Sequence, residues 1–370
     1  MTMLVFPEPW MKLVSVIIVA FLISIATTPI VKAFATKVGA MDVPRDARRV
    51  HDHPIPRMGG LAIFLGFLLS VLLFVDITKE VRGILLGLIL IVATGVLDDL
   101  ISLNPWVKLS AQIVAAIIAI AHGIVIHFFM HPNVFIEGNV VNIGWFAYPI
   151  TLLWIVGITN SVNLIDGLDG LAVGVSTISC ITILVAVLLT GGVEPSVPLL
   201  VAALAGACIG FMPYNLNPAK ICMGDTGSMM LGFTLATVSV LGLFKFYTVV
   251  TFVVPVLALA VPLSDTVFAF CRRILHGQSP FKADRGHFHH KLMDLGLNQK
   301  QAVAILYAIS AILGLAAVTL TTNGVIRILL LLIAIVIAGI VWAYIMKTLK
   351  NHPHVNDKTN KGEQHERQND

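Results

Sequence analysis

Charged side chains are scarce in this chain: Asp, Glu, Lys and Arg make up only 12% of its 370 residues, whereas 57% are hydrophobic. A mean hydropathy of +0.92 excludes a soluble domain. Cysteine is also rare and shows no Cys-x-x-Cys spacing. We therefore interpret all four cysteines as packing residues that reveal nothing about redox state: Cys180, Cys208, Cys222 and Cys271.

What the chain has instead is a series of about eleven apolar runs, each long enough or nearly long enough to cross a bilayer. Backbone groups cannot stay unpaired in lipid, so these runs should be helices. The runs are Leu13–Val31, Leu61–Val75, Gly83–Leu97, Leu109–Phe129, Phe146–Val162, Leu171–Leu189, Val197–Pro213, Met229–Phe244, Val249–Phe270, Ala302–Leu320 and Ile326–Ile345.

We therefore predict an all-α polytopic membrane protein with about 11 transmembrane helices and cytoplasmic active-site loops. Residues 1–350 are expected to form a single integral membrane catalytic domain. The polar tail 351–370 lacks apolar periodicity and is expected to be disordered. The β-branched segment Val134–Trp145 predicts a small hairpin.

The distribution of Lys and Arg predicts the orientation. With the N-terminus outside, 19 of the 24 Lys and Arg residues fall on the inner side, which favours N-out and C-in in the cell membrane. Such a basic inner surface suits anionic lipid head groups or a nucleotide. Five polar loops then share the cytoplasmic face: Arg45–Gly60, Asp98–Lys108, Asn163–Gly170, Met223–Ser228 and Asp284–Lys291. Acids, bases and glycines gathered at one surface indicate phosphate chemistry, whereas a carrier more often spreads its polar groups through the bilayer.

Adjacent carboxylates, Asp98 and Asp99, follow an apolar run. Consecutive helical residues point about 100° apart, so we expect different jobs for them, with one facing a metal and the other a substrate. The alternative is an acidic loop end that only marks the membrane boundary.

A second acidic group has Asn163, Asp166 and Asp169 spaced by three, so that a helical turn would place them on one face. Such a set suits a metal or a nucleotide; the alternative is a capped helix start at Asp169.

Asp225 lies in Gly-Asp-Thr-Gly-Ser before an apolar run. There it can hold a phosphate–metal pair, cap the next helix, or do both.

Three histidines, His287, His289 and His290, follow Arg285. They lack the spaced ligand set of a zinc site, and donors to a pyrophosphate and a sugar fit them better. A basic loop on anionic lipid is the alternative.

Two further residues are second-tier candidates. Arg57 could bind a lipid phosphate or simply reflect the positive-inside rule. Asp265 is an acid near the inner end of a span.

Taken in order, these motifs resemble the polyprenyl-phosphate N-acetylhexosamine-1-phosphate transferases of glycosyltransferase family 4. The similarity covers about Val31 to Leu297, and the bacterial branch that transfers N-acetylglucosamine phosphate is the most similar. The muramyl-pentapeptide relative typically has three consecutive histidines, and Phe288 interrupts that run here. The matching motifs are Arg57-Met58-Gly59-Gly60, Asp98-Asp99, Asn163 with Asp166 to Gly170, Gly224 to Ser228, and Ser279 to His290.

This resemblance implies transfer of N-acetylglucosamine 1-phosphate (GlcNAc-1-phosphate) from UDP-GlcNAc to undecaprenyl phosphate, with UMP released and Mg²⁺ or Mn²⁺ as cofactor. The step would open a cell-wall or surface polysaccharide pathway of the teichoic acid type. Alternatives are another UDP-N-acetylhexosamine, UDP-MurNAc-pentapeptide, or a polytopic carrier. We expect membrane lipids but no nucleic acid as partners, and the sequence leaves a homodimer open.

The same resemblance assigns the site residues. Asp98 and Asp99 would be catalytic, and Asp225 would bind the metal together with Asn163. Substrate binding would fall to Lys108, Asp166, Asp169, Arg285, His287, His289 and His290, with Arg57 and Asp265 in the second tier.

Overall fold

The computed structural model describes residues 8–43, 54–126, 128–130, 140–190, 194–242, 249–275, 287–322 and 324–351. These parts are almost entirely helical, which confirms the predicted all-α class. The helices are α1 (Glu8–Val38), α2 (Gly60–Phe74), α3 (Lys79–Ile101), α4 (Pro105–Ala121), α5 (Ala147–Ile165), α6 (Leu171–Thr190), α7 (Ser196–Asn215), α8 (Gly224–Gly242), α9 (Val249–Ala258), α10 (Ala260–Leu275), α11 (Phe288–Asp294), α12 (Gln299–Leu320) and α13 (Gly324–Asn351). The strands are β1 (Met41–Asp42), β2 (Ile55–Pro56), β3 (Phe128–Met130) and β4 (Val140–Asn142).

Seven spans in the described parts of the chain are long and apolar enough to cross a membrane. They correspond to α1, α3, α5, α6, α7, α12 and α13, while α2 and α4 are shorter apolar helices. Every predicted apolar run contains a helix, so the chain is a multi-pass membrane protein; the count of about eleven spans stays a prediction. The fourth run is helical only to Ala121; Gly123 follows with φ +99°, and Phe128–Met130 forms a strand.

The predicted span Val249–Phe270 is broken into two helices, with α9 ending at Ala258 and α10 starting at Ala260. Pro262 has no N–H to donate to the carbonyl of Ala258, four residues earlier. That carbonyl instead accepts a hydrogen bond from Ser179 Oγ of α6, at 2.6 Å. The break therefore leaves no unpaired oxygen at Ala258 and directs α10 as a separate element.

Two small antiparallel sheets supplement the helices. β3 pairs with β4, but the hairpin predicted within Val134–Trp145 is misplaced, because its first strand, Phe128–Met130, lies wholly before that segment. β1 pairs with β2 at the end of the first polar loop. The β2 segment is also bonded to the chain that precedes α8, because Cys222 N–H donates to Pro56 O at 2.8 Å.

Helix α8 lies at the centre of the bundle, where every residue except Asp225 is buried. It packs against α2, α3 and α5. The contact with α2 is very close: a Cβ atom added at Gly60 would lie 2.1 Å from the backbone nitrogen of Gly227. Any side chain at position 60 would therefore push α2 away from the first turn of α8.

We expect Gly60→Ala to lower the free energy of unfolding by about 3 kcal/mol, at the upper end of the usual cost of overpacking. Thermal denaturation of the purified protein in detergent measures this loss. Gly157→Ala on α5 is the matched control, because its Cβ would meet nothing within 4 Å. Equal melting temperatures for the two variants would contradict the close approach of α2 to α8.

Candidate active site

A cavity of about 350 Å³ opens beside the first turn of α8. Residues from all five predicted polar loops line it, so the loops do converge on one site. The lining residues are Asp42, Arg57, Lys108, Asn163, Asp166, Gly167, Leu168, Asp169, Asn215, Cys222, Met223, Gly224, Asp225 and His290.

The first turn of α8 is held by Asp99 from the end of α3. Asp99 Oδ1 accepts from Asp225 N–H at 3.0 Å, and Oδ2 accepts from Thr226 N–H at 3.2 Å and Thr226 Oγ1 at 2.7 Å. The carboxylate thus binds N–H groups that a helix start leaves unpaired, at the positive end of the helix dipole. Gly224 adopts φ +74°, and a Cβ there would lie 2.4 Å from Asp99 Oδ2, so this corner requires glycine.

Arg57 links two of these carboxylates. Its Nε lies 3.5 Å from Asp99 Oδ1, and its Nη2 lies 3.8 Å from Asp225 Oδ1. The backbone places it there, because Gly59 N–H donates to Cys222 O at 3.0 Å just before α8. The second-tier candidate Arg57 therefore lies within the cluster of acids, which positive-inside charge alone would not require.

Lys108 links the other pair. Its Nζ lies 2.6 Å from Asp225 Oδ2 and 3.2 Å from Asp98 Oδ2. Asp98 Oδ1 also accepts from Leu103 N–H in the turn between α3 and α4, at 2.7 Å. Asp98 and Asp99 therefore have different partners: Asp98 faces Lys108 at the cavity, and Asp99 supports α8 behind it.

The Asn163–Gly170 loop supplies the opposite wall of the cavity. Asn163 Nδ2 donates to Ser228 Oγ of α8 at 2.8 Å. Burial, and next the charge of Asp225, raise the pKa of Asp166 to about 8. Asp169 is turned towards another segment, since its Oδ2 accepts from Asn217 Nδ2 at 2.9 Å and from Ala219 N–H at 3.0 Å.

The histidine group is divided by the fold. His290 lines the cavity, whereas His289 is 3% exposed and packs where a Cβ at Gly167 would lie 2.5 Å from its Nε2. Burial lowers the pKa of His289 to about 4. His287 Nδ1 lies 2.7 Å from Asp265 Oδ2. Arg285 lies outside the described residues.

Known proteins with similar sequences identify the family to which this chain belongs. Residues 81–243 match the model of glycosyl transferase family 4. A Bacillus subtilis (strain 168) protein named probable undecaprenyl-phosphate N-acetylglucosaminyl 1-phosphate transferase is 44% identical over 309 residues, which cover 82% of this chain and 85% of that protein. This chain belongs to glycosyl transferase family 4.

Two further relatives show the breadth of the family. The undecaprenyl-phosphate alpha-N-acetylglucosaminyl 1-phosphate transferase of Thermotoga maritima is 32% identical, over 73% of this chain and 78% of its own. The phospho-N-acetylmuramoyl-pentapeptide-transferase of Heliobacterium modesticaldum is 35% identical, over 64% of this chain and 75% of its own. The predicted family resemblance is confirmed, and the shared framework accommodates relatives named for different sugars.

Some residues of this family 4 site were not predicted from the sequence. Asp42 lines the cavity from β1. The sequence marks it only by its position just before the basic loop Arg45–Gly60. Asn215 also lines it; its Oδ1 accepts from Gly170 N–H at 3.2 Å, and its Nδ2 donates to Ile221 O at 3.0 Å. The turn-forming sequence Asn-Leu-Asn-Pro, which Asn215 begins, was the available signal. Thr226, which bonds to Asp99, lies in a glycine-rich motif that gives its hydroxyl no separate signal.

The donor groups of the lining fit a divalent cation. Among the described residues, four aspartates and two permanent cations, Arg57 and Lys108, line the cavity; the aspartates are Asp42, Asp166, Asp169 and Asp225. Within the described parts of the chain, no group of three or more His, Cys, Asp or Glu residues could hold a metal. Mg²⁺ commonly takes one or two carboxylates and completes its shell with phosphate oxygens and water. The donor set therefore fits a cation shared with a phosphate ligand, and Asp225 and Asn163 are the residues that would hold it.

We expect His289 to make stability depend on pH. Its folded pKa of about 4 lies below the unfolded value of about 6.5, so the unfolded chain binds the proton first as pH falls. Stability is then complete above pH 6.5 and declines towards pH 4, by about 2 kcal/mol at pH 5. His289→Gln should remove that part of the acid loss, as measured by thermal denaturation at pH 8 and pH 5. Parallel losses in wild type and variant would contradict it.

Proposed function

We propose that this chain transfers GlcNAc-1-phosphate from UDP-GlcNAc to undecaprenyl phosphate, giving undecaprenyl-pyrophosphoryl-GlcNAc and UMP. The observation that carries the proposal is the position of Asp225, which faces the cavity between the side chains of Arg57 and Lys108. Such a site can bind phosphate groups and a cation together. The names of the Bacillus and Thermotoga relatives support the choice of substrates.

The reaction joins two anions. An oxygen of the lipid phosphate forms a bond to the β-phosphorus, which carries the sugar, and the bond from that phosphorus to the bridging oxygen breaks. The electron pair leaves with UMP. Arg57 and Lys108 contribute positive charge where negative charges must meet, which is the main requirement of phosphoryl transfer. His290, on the wall of the same cavity, is placed to donate to the diphosphate or the sugar.

Asp98 is better suited to orientation than to proton removal. A phosphate monoester has a second pKa near about 6, so the lipid phosphate is already mostly a dianion at pH 7. Asp98 Oδ2 holds the ammonium group of Lys108 at 3.2 Å. Asp98 thereby keeps Lys108 beside Asp225 and directs its charge into the cavity.

The cofactor would be Mg²⁺ or Mn²⁺. When bound, the cation would neutralise the diphosphate and polarise its oxygens. Asp225 and Asn163 would hold it. Asp166 lines the same cavity, and because burial raises its pKa to about 8, its carboxyl is mostly neutral at pH 7 and can donate a hydrogen bond there.

The membrane setting follows from the same reaction. We place the enzyme in the cell membrane with the N-terminus outside and the active site and C-terminus in the cytoplasm, where the nucleotide is available. The prenyl chain stays in lipid while its phosphate enters the cavity. The step would begin a teichoic acid-like polysaccharide.

Another sugar is the second candidate. The Heliobacterium relative is named for a muramoyl-pentapeptide, but here Phe288 takes the middle place of the histidine run and packs edge-on against Phe268, with ring centroids 5.6 Å apart. Radiolabelled UDP-GlcNAc, UDP-GalNAc and UDP-MurNAc-pentapeptide, each offered with undecaprenyl phosphate in detergent, separate these donors. A polytopic carrier would form lipid-linked product from none of them.

Asp225→Asn should reduce UMP release from UDP-GlcNAc by at least about 1,000-fold, because it removes charge from the proposed cation site and from its pairs with Lys108 and Arg57. A coupled UMP assay in detergent with Mg²⁺ measures the loss. Asp76→Asn is the control, since Asp76 is exposed between α2 and α3 and should keep wild-type turnover. Near-normal turnover of a folded Asp225→Asn protein would overturn the role of Asp225.

Asp98→Asn should lower kcat at every pH between 6 and 9, because an amide cannot hold Lys108 by charge. The pH–rate profile keeps its wild-type shape if Asp98 orients Lys108. A rate that recovers to nearly the wild-type value at pH 9 would instead identify Asp98 as the base for a lipid phosphate proton.

A further inference from the structure

Asp265 is a buried carboxylate that does not line the cavity. It lies in the second turn of α10 and is 3% exposed. Its Oδ2 lies 2.7 Å from His287 Nδ1, and its Oδ1 accepts from Phe288 N–H, also at 2.7 Å. Because the two oxygens bind consecutive residues, Asp265 fixes both the position and the direction of the start of α11.

The contact also fixes the imidazole of His287. A carboxylate only accepts hydrogen bonds, so the nitrogen that faces it, Nδ1, carries the hydrogen. His287 stands at the N-cap position of α11 but makes no side-chain cap bond of its own. The Asp265 carboxylate takes that place from a different helix.

From His287 the imidazole rings continue to the cavity. The rings of His287 and His289 are nearly parallel, 7° apart, with centroids separated by 5.8 Å. The centroids of His289 and His290 are 4.3 Å apart. His290 is the member of this series that lines the cavity. Its position therefore depends on where the helix start and the two preceding rings are held.

We propose that Asp265 is a positioning residue for sugar-nucleotide recognition, which holds His287 and the first N–H of α11 so that His290 faces the cavity. The identity of the ligand, a nucleoside diphosphate sugar, rests on the proposed function. Asp265 does not touch that ligand. Its effect should fall on donor binding and not on the lipid acceptor.

Calorimetric titration of UDP-GlcNAc into the full-length protein in detergent, with Mg²⁺ and without lipid acceptor, tests the proposal. Asp265→Leu should raise the Kd for UDP-GlcNAc about tenfold, equivalent to one polar contact of His290. The KM for undecaprenyl phosphate should change by less than about twofold. Asp265→Asn should give a smaller rise in Kd, because its amide oxygen still accepts from Phe288 N–H.

Ser264→Ala is the matched control on the same helix. Its hydroxyl donates to Val261 O within α10, so donor binding should equal that of the wild type. Thermal denaturation of every variant separates loss of folding from loss of position. If Asp265→Leu does not fold, Asp265→Asn replaces it in all comparisons.

A double-mutant cycle decides whether Asp265 acts through His290. His290→Ala should itself raise the Kd for UDP-GlcNAc, and adding Asp265→Leu should then raise it by less than about twofold more. Fully additive effects, or an unchanged Kd in Asp265→Leu, would overturn the positioning role. A wild-type protein that does not bind UDP-GlcNAc would overturn the proposed function, and with it the ligand named here.

Discussion

The Asp99 carboxylate at the start of α8 is the interaction on which the rest of the site depends. A buried charge is costly unless it is paired and hydrogen-bonded. Here the start of α8 supplies three donors and Arg57 supplies the opposite charge. Removing any one partner would leave the carboxylate undercompensated. The satisfied group ties α3, α8 and the end of the first polar loop into one unit, and Asp225 belongs to the same helical turn.

The close approach of α2 to α8 makes this unit possible. Lipid tails are as apolar as Leu side chains, so membrane helices associate mainly by van der Waals packing and interhelical hydrogen bonds, and small residues favour both. Gly60 brings the backbone of α2 against Gly227, next to the turn that Asp99 holds. Backbone packing therefore sets the distance between Arg57 and Asp225, so their contact does not depend on the side chains alone.

The sequence allowed the helical class and the convergence of the five loops to be predicted, because hydropathy and the Lys/Arg distribution are local signals. The division of labour was less accessible. Helical geometry required Asp98 and Asp99 to point apart, but not that Asp99 would support α8. Because His287, His289 and His290 are close together in the sequence, one shared role was expected for them. The structure separates them by burial, which depends on contacts with α10 and the Gly167 turn. Pro255 and Pro262 both lie in the run Val249–Phe270, but α9 continues through Pro255, because a proline in an apolar run often does no more than kink the helix.

Among the described residues, the acids around the first turn of α8 outnumber the cations that contact them. Lys108 contacts Asp98 and Asp225, and Arg57 contacts Asp99 and Asp225, so the two cations already share three acids. Burial is the largest cause of the raised pKa of Asp166, and the charge of Asp225 raises it further. Two phosphate ligands would add negative charge beside these acids, and a further cation would offset it. The proposed divalent cation would let the acids around α8 and the anionic substrates occupy one site.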